Sequence, residues 1–207
     1  MVEHPTYEQR LRDGFDATLR EASEFFAHRG DVYRTLQRLA ERLDQEQIAY
    51  ALVGGLALAH HGFVRMTQDV DILLTAEGLE AFRARCVGRG YALAFPGAQK
   101  TFRDTETGVR IEVITTGEYP GDGLPKPVAF PAPGEVAEER GGIRVVTLET
   151  LIELKLASGL TARHRLRDLA DVQDLIEALR LPLSLAGKLD PSVREKYVEL
   201  WNVSGRK

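Results

Sequence analysis

Apolar residues recur along this chain with two different periods, and the alternation between them predicts its elements. Val32, Leu36, Leu39, Ala40 and Leu43 fall at three- and four-residue intervals, the spacing that lines one face of an α-helix. Asp31, after Gly30, stands where a capping side chain is expected. Upstream, Phe15, Leu19, Ala22 and Phe26 keep a similar spacing and predict a leading helix. The pattern then changes. Tyr50 to Val53 is a short apolar run ended by Gly54 and Gly55, which predicts a buried strand breaking into a glycine turn. Leu56 to His61 predicts a short helix with Gly62 as its stop. Strands are further predicted over Asp69 to Leu74, Tyr91 to Phe95, Gln99 to Arg103, Val109 to Thr115 and Ile143 to Val146. Helices are predicted from Thr75 to about Val87, with Leu79, Phe82 and Cys86 inward, and from Thr147 to Ser158, with Gly159 as the stop. Two more cover 163–180, with Leu166, Leu169, Ala170, Val172, Ile176 and Leu179 inward, and the stretch from the Asp190-Pro191 start to about Trp201. Residues 116–142 carry many of the prolines and glycines and predict one long loop, either a substrate-facing lid or a mobile segment.

Strands and helices in this order predict an α+β fold, a mixed β-sheet flanked by helices. Residues 1–47 supply N-terminal helices packed on the core, 48–146 the core itself, and 147–207 a C-terminal helical segment. The 207 residues and 43% apolar content suit such a domain. A formal charge of −4 gives no general basic field for extended nucleic-acid binding, although a local basic patch is compatible with it. The lone Cys86 excludes an internal disulfide and a cysteine-rich zinc site. No apolar run approaches the ~20 residues needed to span a bilayer, and no signal-like segment follows Met1, so a cytoplasmic protein is expected.

The chemistry is concentrated between Tyr50 and Leu74. Asp69 and Asp71 interrupt an otherwise Val/Ile/Leu strand, and ionised carboxylates there cost several kcal/mol unless a cation pairs with them. Side chains alternate along a strand, so the two acids share a face and suit a hard dication such as Mg²⁺. The Gly54-Gly55 turn at a helix start offers free N–H groups suited to phosphate. Glu112 repeats the anomaly, lying opposite Val109, Ile111 and Val113 in its strand.

Val53-Gly54-Gly55 followed by Arg65-x-Thr67-x-Asp69-Val70-Asp71-Ile72 resembles the signature of the nucleotidyltransferase superfamily to which DNA polymerase β belongs. The Gly-Gly form with a downstream Arg-x-Thr most resembles minimal bacterial nucleotidyltransferases, including those of abortive-infection toxin–antitoxin systems. Leu154-Lys155, Arg165, Asp168 and Asp171 match strings in the tail of the toxin type. The resemblance implies a nucleotidyltransferase-like sheet whose third acid comes from a neighbouring strand, here Glu112. It implies transfer of a nucleoside monophosphate from an NTP, ATP among them, to an acceptor hydroxyl with release of pyrophosphate. Asp69, Asp71 and Glu112 are then metal ligands for two Mg²⁺ ions. Gly54, Gly55, Arg65, Thr67, Lys155 and Arg165 are the expected nucleotide contacts. An RNA end such as that of transfer RNA, a protein hydroxyl and a small molecule are all compatible acceptors, and a toxin–antitoxin partner is compatible too.

Each residue also has a plainer reading. Glu112 can be an edge-strand acid paired with Arg110 or Arg103. Gly54 and Gly55 can form an ordinary turn. Lys155 can snorkel to water. Arg163, Arg165 and Arg167 can be a solvated face, with Asp168 and Asp171 pairing with them at helical spacing. Arg65 and Thr67 can be ordinary loop polarity, and His60 and His61 cleft-edge or surface residues. A catalytically idle binding module, acting as an antitoxin-like partner or nucleotide sensor, is the alternative to an enzyme.

Overall fold

In a computed structural model the described residues are 6–12, 22–25 and 29–204. Their centre is a seven-stranded mixed sheet of order β3-β4-β5-β2-β1-β7-β6. The strands are β1 (Ala51–Leu52), β2 (Asp69–Leu74), β3 (Tyr91–Leu93), β4 (Thr101–Asp104), β5 (Arg110–Thr115), β6 (Ala137–Arg140) and β7 (Ile143–Val146). The helices are α1 (Tyr7–Arg12), α2 (Asp31–Gln45), α3 (Gly54–His60), α4 (Ala76–Cys86), α5 (Pro133–Val136), α6 (Leu148–Thr161), α7 (Leu166–Leu179) and α8 (Pro191–Ser204). Residues 22–25 are also helical. Phe15, Leu19 and Phe26 of the expected leading helix lie outside the described residues. The expected mixed sheet flanked by helices is present. No helix among the described residues is long and apolar enough to cross a membrane.

β2 and β5 are adjacent and parallel, and their register sets Asp69 beside Arg110 and Asp71 beside Glu112. Along β2, Val70 and Ile72 are buried while Asp69 and Asp71 are partly open; β5 alternates in the same sense. The apolar half of each strand therefore anchors in the core, and the same pleat turns all the acids to one face. Buried side chains from Tyr7 to Tyr197 form one cluster, including Leu36, Leu39 and Leu43 of α2, Phe82 of α4 and Ile152 of α6. Thr75 caps α4 by accepting from the Gly78 N–H at 3.0 Å, as expected of that residue type. Asp190 likewise accepts from the Ser192 N–H at 2.9 Å at the start of α8.

Five expectations need correction. Gly54 and Gly55 do not precede the short helix but open it. Asp31 is the first residue of α2 rather than its cap, which is Gly30. Gly159 does not end α6. It lies within the helix, where a Cβ would come 2.5 Å from Leu169 Cγ, so the glycine admits α7 to close packing. The helix expected over 163–180 starts with a 3₁₀ turn, Arg163–Arg165, and Leu166 is 66% exposed instead of inward; Ala170 is exposed too. The region 116–142 is not all loop: it holds α5 and the edge strand β6, which pairs antiparallel with β7.

Candidate active site

An open cavity of about 910 Å³ lies over the exposed ends of β2 and β5, with Gly54, Gly55, Asp69, Asp71, Glu112, Arg110, Lys155 and Arg165 in its lining. Each arrives by a separate local rule. Asp69 and Asp71 alternate with core residues of β2, and Glu112 is set opposite Asp71 by strand register. The three acids each place a carboxylate oxygen within 4.8 Å of the others. Like charges so close, on a carboxyl only partly open to water, resist ionisation. Burial first, then the Asp69 and Glu112 charges, push the Asp71 carboxyl up to about 7, against the opposing pull of Lys155 and Arg110.

This cluster meets the requirements of a hard divalent cation. Its donors are all carboxylate oxygens, they converge from two strands, and their three charges exceed the single cation, Arg110, that pairs with them directly. Thr67 Oγ1 donates to Asp69 Oδ1 at 2.7 Å and fixes the orientation of that carboxylate. Gly54 closes the opposite side. Its φ of 67° favours glycine, and a Cβ at this position would collide with the Asp71 carboxylate. Gly55 is similarly tight, since its Cβ would stand 2.9 Å from Thr67 Cβ.

A second charged group forms the wall contributed by α6 and α7. Lys155, only 6% exposed, donates to Asp168 Oδ1 at 3.0 Å and Asp171 Oδ2 at 2.6 Å. Arg65 grips the same Asp171 with two bonds, Nε to Oδ1 at 2.7 Å and Nη2 to Oδ2 at 3.0 Å. Ser158 Oγ donates to Asp168 Oδ2 at 2.7 Å. Lys155 thus does not snorkel to water, and Asp168 and Asp171 pair with Lys155 and Arg65 rather than with arginines on their own helix. Arg165 and Arg167 are exposed at the cavity margin. His61 is neither at the cleft edge nor on the surface. It is buried, and its Nε2–H donates to the Val146 carbonyl at 2.8 Å. Burial, the largest influence, depresses its pKa.

From its sequence Arg110 is expected only as one of two alternative partners for Glu112 on an edge strand, whereas β5 lies inside the sheet, between β4 and β2. The structure places the arginine inside the acidic cluster, Nη2 lying 3.0 Å from Asp69 Oδ2 and 3.2 Å from Glu112 Oε2. Arg103, the other partner considered, pairs with Glu8 instead. Ser158 was also missed as a polar cavity residue. Its one signal was the small, polar residue three positions after Lys155, on the same helical face.

No family model matches this chain, and no curated protein matches it in sequence. Solved structures similar to it include an antigenic nucleotidyltransferase-like protein from Paracoccidioides brasiliensis, at 18% identity over 69% of this chain and 74% of that one, with a TM-score of 0.46. JHP933 from Helicobacter pylori shows 18% identity over 83% of this chain and 88% of its own, with a TM-score of 0.44. ANT(2'')-Ia, solved with adenylyl-2''-tobramycin, shows 11% identity over 79% and 90%, with a TM-score of 0.46.

Proposed function

We propose that this protein is a metal-dependent nucleotidyltransferase that moves a nucleoside monophosphate from an NTP to an acceptor hydroxyl. The observation that carries this reading is the convergence of Asp69, Asp71 and Glu112 in a cavity that also exposes Arg165 and Arg167. Acids alone would suit a cation and basic residues alone an anion. A cavity lined with both suits a polyphosphate with its dication.

Asp69, Asp71 and Glu112 would hold Mg²⁺, two ions in the fullest version. Bound there, the metal would neutralise polyphosphate charge and lower the pKa of the acceptor hydroxyl. The chain's own residues have separate tasks. Thr67 keeps Asp69 aimed at the cavity, and the absence of a Cβ at Gly54 leaves the Asp71 carboxylate room beside the backbone. Arg165 and Arg167 at the margin would offer cations to the triphosphate, while Lys155, held by its two acids, orders the wall beside it. The acceptor oxygen bonds to the α-phosphorus, the bond from that phosphorus to the oxygen bridging to the β-phosphate breaks, and pyrophosphate leaves. Glu112, the most open of the three acids with 42% of its side chain exposed, takes the acceptor's proton. A small molecule, a protein hydroxyl or an RNA end can fill the acceptor role, and a cytoplasmic setting supplies both NTP and Mg²⁺.

Incubation of a lysate with each α-labelled NTP and Mg²⁺ tests the reading. Label should pass to an acceptor with the parent chain and fall to background with Asp69→Asn, whereas equal labelling by both sinks it. The pairing of Arg110 with two of the acids favours a second reading, a catalytically idle module that acts as a nucleotide sensor or a toxin–antitoxin partner. Absence of Mg²⁺-dependent thermal stabilisation by NTP would favour a partner-binding role, whereas stabilisation without transfer of label would mark a nucleotide sensor.

A further inference from the structure

We propose that Arg110 is a built-in counter-cation of the acidic cluster, which keeps Asp69 and Glu112 together in the metal-free chain and which a divalent ion must displace. The inference rests on the nucleotidyltransferase reading only in taking the cluster for a metal site. Strand register puts Arg110 beside Asp69, and the two-residue pleat puts it on the face of Glu112, so its guanidinium bridges acids from both strands. Two other cations of the cavity are engaged elsewhere, Lys155 with Asp168 and Asp171 and Arg65 with Asp171, while Arg165 and Arg167 stand at its margin. Among the ion pairs of the described residues, Arg110 alone joins members of the triad. With 40% of its side chain exposed to the cavity, it can turn away without repacking the core. A dication placed among the same oxygens competes with it directly, because both draw on the same lone pairs. Arg110 is therefore a positioning residue that makes metal entry an exchange of one cation for another rather than the filling of a bare, self-repelling cluster.

The test uses the full chain and Mn²⁺ as the probe, with free Mn²⁺ followed by electron paramagnetic resonance. Two partly exposed ion pairs are together worth a factor of about five in binding, so Arg110→Met should tighten Mn²⁺ by about that factor or more. Arg110→Lys, which keeps the charge but not the fork, should fall between variant and parent. In EDTA, Arg110→Met should unfold at a lower temperature than the parent, and saturating Mn²⁺ should erase that difference. A side chain with a merely structural role would leave the deficit in place. Equal or weaker Mn²⁺ binding by Arg110→Met overturns the inference while leaving the metal site standing. Should Arg110→Met fail to fold, the comparison of Arg110→Lys with the parent decides in the same way. Absence of Mn²⁺ binding by the parent, or full binding by Asp71→Asn, instead overturns the metal site itself, and the inference with it.

Discussion

Replacing Asp71 by Asn should stabilise the metal-free protein, the opposite of what removing a bonded carboxylate normally does. Asp71 rises from 3.8 to about 7 in the folded chain, because burial and two neighbouring acids oppose its ionisation. A carboxyl whose folded pKa is raised contributes nothing to stability below about pH 4. It costs progressively more as pH rises toward 7, and the full amount above that. The displacement corresponds to a full cost of about 4 kcal/mol, and water entering the cavity reduces it. A gain of about 1–3 kcal/mol is expected for Asp71→Asn at pH 8, shrinking steadily as pH falls toward 4. At about 2–4 °C per kcal/mol for a chain of this size, thermal unfolding in EDTA should place the variant on the order of 5 °C above the parent at pH 8. Millimolar Mg²⁺ should raise the parent's midpoint far more than the variant's, since the ion recovers the charge cost only where that charge exists. A variant less stable than the parent at pH 8 in EDTA would refute the reasoning, since Asp71 would then be a satisfied structural acid.

Other outcomes follow from the same geometry. Gly54→Ala should abolish Mg²⁺-dependent stabilisation, because its Cβ occupies the space of the Asp71 carboxylate at a φ of 67°; calorimetric titration with Mn²⁺ reads the loss. Lys155→Met leaves Asp168 and Asp171 without their shared cation and should cost about 3–5 kcal/mol in urea unfolding. Lys126 donates to the Pro120 carbonyl at 2.6 Å and to Thr161 Oγ1 at 3.0 Å, and also pairs with Asp122, so it pins the segment above the cavity to α6. Lys126→Ala should speed amide hydrogen exchange across residues 117–126 while leaving β2 and β5 protected.

The acids were legible because a charge inside an apolar strand contradicts its surroundings and demands an explanation, and the alternation that exposed them also fixed their face. Arg110 was not legible as part of the cluster, since its place depends on which strand lies beside β2 and in what register. Arg65 and Asp171 lie 106 residues apart, so their pairing is set by tertiary packing and leaves no local signal. β6 escaped notice because AEER has neither apolar alternation nor a turn signal of its own, and its pairing with β7 defines it. Gly159 was misread as a stop because a glycine that ends a helix and one that admits a neighbouring helix look alike in sequence. Only Leu169 distinguishes them.

Everything proposed for this protein depends on one cluster of oxygens taking a dication. Crystals grown with Mn²⁺ and a non-hydrolysable NTP analogue, with anomalous scattering recorded, test that directly. The account predicts an anomalous peak bounded by carboxylate oxygens of Asp69, Asp71 and Glu112 and touching the polyphosphate, with the Arg110 guanidinium turned away. No peak there, with Arg110 still bridging Asp69 and Glu112 while the analogue binds elsewhere, would contradict it.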